Sequence, residues 1–526
     1  MPLLRSLAAA LLAAALAWQP SVTQAATIAD DPHTAPPAGP TWVVTSRDTF
    51  SGVRGIALDA HDWLDSRGEE LVVAELDPAG VAALARHVHE VEHRCGGFFA
   101  FSTRQEAEAF IAHGRAAEAM ALPMGGVYTI DNHATVEPWL DEVAEDNLYD
   151  TIAALAAFQN RHYQSEHGRD AALWIRDQWQ ALAAGRLDAR AELFEDCGKC
   201  ATQPSVILTI NGHELADEVV VIGGHLDSIN WDDPWNSAQR APGADDDASG
   251  IATMTEMIRI ALDSGWQPKR TIKFMGYAAE ELGLLGSEAI ASRYAADGVN
   301  VVGVLQLDMT NYWNGTPYQL RIVSDNSNAA LLAYIGELFD EYLAPRGFTR
   351  ANVTCGYGCS DHASWTDHGY PAGMLFEPGH PYTPGGWDMG DFPYIHTADD
   401  TLANMGDTAA PTIPFAQLGL AFLGELGKTH GTVAPNDPPV ADFTWSVDGR
   451  HVAFGDTSTD ADGKVVGWHW DFGDGTSSNA RNPQKMYLAD GSYEVTLTVT
   501  DDGGLADGRT QTVATDDTLF RDGFEP

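Results

Sequence analysis

Three strand-like runs in this chain each end in a residue type that holds metal ions, and that pattern sharply restricts the possible folds. The run Glu218–Gly224 ends in His225, Thr271–Tyr277 leads into Ala278-Ala279-Glu280-Glu281, and Val301–Leu307 ends in Asp308. In an open α/β sheet, ligands collect just outside the carboxyl ends of the strands. Three such ends carrying His, Glu and Asp predict one shared cage of oxygen and nitrogen donors. Between the first two runs lies Ala241–Gly250, with Asp245-Asp246-Asp247 at its centre. That loop is too acidic for an ordinary strand-to-helix turn, and it points to a metalloenzyme.

The flanking pattern is that of an α/β unit. Further strands are predicted at Ser205–Ile210, Tyr318–Ser324 and Pro371–Phe376, with the third run extending to Met309. Helices at Ala248–Ser264, Leu284–Ala295, Asn328–Leu343 and Pro411–Gly427 alternate with them. Two amphipathic helices, near Leu140–His162 and Gly168–Ala184, come first. Apolar strands spaced by helices predict a sheet covered on both faces. Asn211-Gly212 between the first two strands is a hairpin signal, so the sheet is expected to be mixed but mostly parallel.

At 526 residues the chain is too long for a single core. Residues 1–25 read as a secretory signal, with Arg5, an apolar run from Leu7 to Trp18, and Thr23-Gln24-Ala25 before the cut. That run is too short to span a bilayer comfortably. Residues 26–128 open with a Pro-rich stretch and carry a predicted strand (Glu70–Glu75) and helix (Pro78–Glu92). Their position suggests a propeptide; a small permanent domain is the plain alternative. The catalytic region is expected at 129–432 and a Pro-rich linker at 433–439. Residues 440–515 are short-stranded and turn-rich, which predicts a β-sandwich, and 516–526 form a tail.

The chain carries 30 Lys+Arg against 75 Asp+Glu, a formal charge of -45. That balance argues against nucleic acid, whose phosphates demand basic patches, and against an anionic membrane surface. Export permits disulfides. The five cysteines are Cys95 and two close pairs, Cys197/Cys200 and Cys355/Cys359. The spacing Cys197-Gly-Lys-Cys200 also suits a redox or zinc motif. A strand rather than a helix follows it, which favours a structural bridge.

Catalytic zinc takes His nitrogen and carboxylate oxygen and keeps a position open for water. Two zinc ions sharing a carboxylate can clamp both the attacking and the developing oxygens. The sequence offers His225, Asp246, Glu281, Asp308 and His396, with Glu280 beside Glu281; of these two adjacent glutamates one can bind metal while the other faces the water. Singly, each signal has a blander explanation. A lone His at a strand end is more often a packing residue, a Glu pair at a helix start complements its dipole, and an Asp run can be a solvated or calcium loop. Together, at successive strand ends, they favour the metal centre.

Residues of about 130 to 430 closely resemble the secreted bacterial leucyl aminopeptidases, a family of co-catalytic dizinc exopeptidases. The matching strings are Val221-Ile-Gly-Gly-His-Leu-Asp-Ser228, Ala241–Gly250, Ala278-Ala-Glu-Glu-Leu-Gly283, Leu305-Gln-Leu-Asp-Met-Thr-Asn311, Cys355-Gly-Tyr-Gly-Cys-Ser-Asp-His-Ala-Ser364 and Ile395-His-Thr397. The resemblance implies two zinc ions per chain, bridged by Asp246. His396 and Glu281 complete one site, and His225 and Asp308 the other. It implies Glu280 as general base, Asp227 as the carboxylate orienting His225, a cis peptide between Asp246 and Asp247, and Tyr357 as a donor to the tetrahedral oxyanion. Met309, Ile322, Cys355, Cys359, Met374, Phe376 and Ile395 match positions that line an apolar pocket, although ordinary core explains Ile322 and Met374 equally well. Such a pocket favours Leu-like or aromatic first residues of peptide or protein substrates. The segment Pro378–Tyr394 is longer than in the family and, lying just before His396, is expected to reshape the pocket rim.

The carboxyl-terminal region resembles polycystic-kidney-disease-type (PKD) domains through Trp470-Asp-Phe-Gly-Asp-Gly475 and the strand Tyr493–Val499. At least one of Trp468 and Trp470 is expected in its core. The expected protein is a secreted, monomeric zinc aminopeptidase. Two alternatives stand beside it: a single-zinc enzyme of the glutaminyl-cyclase kind, and a non-catalytic binding protein acting through the β-sandwich.

Overall fold

The computed structural model describes residues 40–64, 70–90, 98–101, 103–108, 110–111, 128–234, 236–354, 358–378, 392–432 and 436–515. Residues 1–25, expected to be a signal segment, together with Cys95, Cys355, Tyr357, residues 379–391 and residues 516–526, lie outside the described residues.

Among the described residues, the region 128–432, expected to be catalytic, is built on an eight-stranded sheet. Its strands run in the order Arg350–Val353, Leu320–Val323, Ala372–Phe376, Asn300–Leu307, Leu215–His225, Arg270–Tyr277, Ser205–Ile210 and Ala189–Phe194. The four strands from Ala372–Phe376 to Arg270–Tyr277 are mutually parallel, and the two after them are antiparallel. Parallel central strands are covered on both faces and read as unbroken apolar runs. Leu215–His225 accordingly is buried from Val219 onward. Val220 and Ile222 join the apolar cluster on one face, Val219 and Val221 the cluster on the other, as a two-residue side-chain period demands. The helices Ala248–Asp263 and Ile413–Gly427 cover the first face and are buried along almost their whole length.

Two local expectations fail. Ser205–Ile210 and Leu215–His225 do not form a hairpin, because Arg270–Tyr277 lies between them and pairs with both. Gly212 makes room for that strand: a Cβ there would lie 2.6 Å from the Arg270 carbonyl carbon. The expected helix Leu140–His162 is instead two helices, His133–Leu140 and Glu145–Ala156, followed by an irregular buried stretch through Asn160, Arg161 and His162. Amphipathic spacing continues into that stretch, but its side chains bond to distant backbone rather than to a helical neighbour.

The amino-terminal residues fold as a unit of their own. An antiparallel sheet, in the order Asp59–Leu64, Glu70–Leu76, Thr41–Ser46 and Phe98–Phe101, packs with the helix Pro78–Glu90. Its core continues into the catalytic region through Tyr163, Ile229, Trp231, Ala278, Ala279 and Leu282. Gly283 makes the close approach possible: at φ 117 it bears no side chain, and a Cβ would lie 2.9 Å from that of Ala100. Lys199 donates to the Ala100 carbonyl at 3.3 Å and sits 5.4 Å from the Phe101 ring centroid.

The carboxyl-terminal unit places a three-stranded sheet against a four-stranded one. Trp470 is fully buried at its centre with Phe443, Phe454 and Phe472, and its indole N–H donates to the Ala480 carbonyl at 2.9 Å. Trp468 is half-buried under Arg481, 5.3 Å away.

Candidate metal centre

Strand register gathers the site. His225 stands beside Tyr277, and Gln306 stands beside Gly223. The residues that follow, Glu280-Glu281 and Asp308, therefore leave the sheet at the same edge as His225. The Asp246 loop enters the same edge at the amino end of the helix Ala248–Asp263, and His396 arrives from the irregular chain beyond Phe392.

Asp246 is shared between two clusters. Its Oδ1 lies 2.9 Å from His225 Nε2 and its Oδ2 lies 2.8 Å from His396 Nε2. Asp308 Oδ1 is 3.6 Å from the first imidazole, and Glu281 Oε2 is 2.8 Å from the second. Two trios result, His225–Asp246–Asp308 and Asp246–Glu281–His396, with the donor atoms of each within 4.8 Å of one another. All five side chains are buried. Glu280 belongs to neither trio; it is buried, and its Oε1 has no hydrogen-bond partner.

Carboxylates outside the trios hold the backbone in place. Asp247 caps the helix: its Oδ1 accepts from the N–H of Gly250 at 2.8 Å and of Met309 at 3.2 Å, and its Oδ2 accepts from the N–H of His225 at 3.0 Å. The peptide between Asp246 and Asp247 is cis. Asp400 accepts from the N–H of Asp245 at 2.9 Å and of Asp246 at 3.2 Å. Asp227 faces His225 Nδ1 at 3.5 Å, and its two oxygens accept from the N–H groups of Glu280 at 2.9 Å and Glu281 at 3.3 Å. It therefore fixes the two glutamates at least as firmly as the imidazole. Ser360 donates to Asp308 Oδ2 at 2.6 Å, which turns Oδ1 toward His225. Trp231 donates its indole N–H to His396 Nδ1 at 2.5 Å. Sequence reasoning gave no role to Asp247 as a cap, nor to Asp400, Ser360 or Trp231. The capping position after the triple-Asp loop was the one available signal.

Met309, Ile322, Met374 and Phe376 are buried in one apolar cluster with Cys359 and Phe392, and Ile395 packs against it. Cys197 and Cys200 form a disulfide, and Cys359 is disulfide-bonded.

The charges suit cations. Burial first, then the charges of Asp361 and Glu281, push Glu280 well above the usual carboxylate range, against the pull of His225. Burial and Asp246 raise Glu281 to about 7. Burial lowers the imidazoles, but the surrounding carboxylates outweigh it, raising His225 well above its ordinary value and His396 to about 10. Asp246 is held down by the two imidazoles in spite of its burial. Buried acceptors thus outnumber the donors that face them, among them Glu280 Oε1 and Glu281 Oε1, which lack any hydrogen bond. Imidazole and carboxylate donors in two trios with a common member fit a pair of divalent ions.

The chain is similar to known proteins in both its central and its carboxyl-terminal regions. A model of "Peptidase family M28" matches residues 205–419, and a "PKD domain" model matches residues 436–516. A "Probable leucine aminopeptidase" of Arthroderma benhamiae is 35% identical over 303 residues, 56% of this chain and 75% of that protein. The chain belongs to peptidase family M28. Its M28 region is that of a metallo-aminopeptidase, a hydrolase, and a PKD domain follows it. "Leucine aminopeptidase 1" of Arthroderma gypseum is 32% identical over 393 residues, 72% of this chain and 98% of that protein. The crystal structure of LapB from Legionella pneumophila covers 74% of this chain and 99% of its own, at 26% identity and a TM-score of 0.60. The mixed, mostly parallel sheet is thus the fold expected of an M28 peptidase. Among the described residues, no helix is long and apolar enough to cross a membrane.

Proposed function

We propose that this chain is a secreted two-zinc aminopeptidase that removes Leu-like apolar residues from the amino ends of peptides and proteins. The observation that carries this reading is Asp246, which offers one oxygen to each of two His-containing trios. His225 and Asp308 would hold one ion, Glu281 and His396 the other. Bound zinc would supply Lewis-acid polarisation and bring the pKa of water to about 7.

The chain's own residues do the rest. Glu280, buried beside both trios, takes the proton of the attacking water and delivers it to the leaving amine. Asp227 holds Glu280 and Glu281 at the required spacing through their amides. A free amino end would be held by one ion and the acidic side chains near it, which restricts cutting to the first peptide bond. Met309, Ile322, Met374, Phe376 and Ile395 would receive the apolar side chain. Tyr357 would donate to the oxyanion, and Cys355 would pair with Cys359.

Residues 26–128 would be a propeptide that keeps the enzyme latent. The strand Phe98–Phe101 supports this, since it rests on Gly283, two residues beyond Glu281. The Cys197–Cys200 bridge supports export. The mature enzyme is proposed to act as a monomer.

The test is hydrolysis of leucine p-nitroanilide with and without chelator, together with elemental analysis. Chelator-sensitive turnover and two zinc ions per chain are expected. One zinc per chain would favour the cyclase-like alternative, and no turnover by the processed protein would sink the proposal.

A further inference from the structure

Arg161 is buried (1% exposed) on the irregular stretch between the helices Glu145–Ala156 and Glu166–Leu182. Its guanidinium is directed at main-chain carbonyls. Nε donates to Leu226 O at 2.9 Å, Nη2 to Gly243 O at 2.8 Å, and Nη1 to Pro242 O and, at 3.4 Å, to Leu155 O. Its own N–H donates to Ser228 Oγ at 3.0 Å, and that hydroxyl donates to Ala241 O at 2.8 Å. Gln203 Nε2 donates to the Arg161 carbonyl at 2.8 Å, while Gln203 Oε1 accepts from the N–H of Ala279 at 3.1 Å.

These bonds reach three of the segments around Asp246. Leu226 follows His225, Gly243 lies three residues before Asp246, and Ala279 precedes Glu280. Gly243 is needed for the approach: its φ is +53, and a Cβ would lie 2.8 Å from Arg161 Nη2. Neutral donors could satisfy carbonyls equally well, and burying a cation carries a large desolvation cost. The carboxylates it faces, Asp400, Asp247, Asp227 and Asp246, offset part of that cost, although burial outweighs them. A guanidinium does not shed its proton in a protein, so this charge is permanent.

We propose that Arg161 is a positioning residue of the metal centre, a fixed cation that sets the His225 strand end and the Asp246 loop at ligating distance and offsets the carboxylates before the ions arrive. This rests on the reading of the two trios as the ion-binding site. Lysine would keep the charge but could not serve four carbonyls with one ammonium group. Methionine would remove both charge and donors.

The test is zinc affinity of the chelator-stripped full-length chain, measured by competition with a chromogenic chelator, and melting with and without zinc. Wild-type protein that takes up no zinc would overturn the underlying reading itself. With wild-type uptake established, Arg161→Lys is expected to bind zinc about 10–100-fold more weakly, and Arg161→Met more weakly still. Arg186→Lys is the control for losing a buried arginine, since Arg186 donates to Leu262 O and Trp266 O at the far end of the helix Ala248–Asp263. It is expected to melt lower with its zinc affinity unchanged. Equal zinc affinity in wild type and Arg161→Lys, or a loss no greater than in Arg186→Lys, overturns the proposal. Should both Arg161 variants fail to fold, Ser228→Ala decides: several-fold weaker zinc binding supports the role (about the low end of that range), and wild-type affinity overturns it.

Discussion

Replacing Glu280 by Gln separates proton transfer from everything else in the site. Gln has nearly the same volume, and the position is 2% exposed, so no cavity opens. The backbone N–H of residue 280 still donates to Asp227 at 2.9 Å, which keeps the neighbouring Glu281 in place. Glu280 lies in neither trio, so zinc content is expected to hold. What disappears is a buried carboxylate whose Oε1 lacks a hydrogen-bond partner and is free to accept a proton. Removing a general base costs a factor of about 10²–10⁴ in turnover, or about 2.7–5.5 kcal/mol on the barrier. The assay is kcat and KM for leucine p-nitroanilide, with zinc per chain measured on the same sample. KM is expected to move little, because the substitution removes an interaction made in the transition state. Glu281→Gln should behave differently and lose metal as well as turnover. A Glu280→Gln enzyme that retains its zinc and more than about a tenth of wild-type kcat would refute the assignment of the base.

Three further outcomes can be checked on stability. The Cys197–Cys200 bridge closes a loop of sequence separation 3, so Cys197→Ser/Cys200→Ser should lower unfolding free energy in urea by about 2 kcal/mol or less; a loss above about 4 kcal/mol would contradict that account. Burial pulls the His368 imidazole down, but Glu288 at 2.9 Å outweighs it and leaves it raised. The pair's contribution is complete below the ordinary imidazole pKa of about 6.5 and fades as pH rises through the raised value, so the stability gap between wild type and His368→Gln should be widest in acid and close in alkali. Trp470→Ala should destabilise the PKD unit by about 3–5 kcal/mol while leaving leucine p-nitroanilide hydrolysis unchanged; a parallel loss of activity would mean that the two units depend on each other.

The ends of the central strands were legible because parallel strands announce themselves as apolar runs and His225, Glu281 and Asp308 sit where such runs stop. Asp246 was legible from a loop more acidic than an ordinary strand-to-helix turn. His396 follows no periodic segment, and only the motif around it pointed to the site. Asp400 and Arg161 could not be found from spacing, since each works by hydrogen bonds to main chain remote in sequence. The false hairpin at Asn211-Gly212 has a similar origin: a local turn signal is correct about the turn and silent about a strand that arrives sixty residues later (about that separation). Strand pairing and main-chain anchoring are decided by packing, which leaves no regular imprint on the residues involved.

The clasp made by Asp247 has a consequence for how this chain can vary. Its two oxygens together receive three main-chain N–H groups, from a strand end, a helix and the residue after Asp308. An asparagine, identical in shape, would turn its NH₂ toward one of those groups whichever way it flipped, setting donor against donor. Inherited drift from acid to amide, harmless on most surfaces, is closed to this position by symmetry of demand.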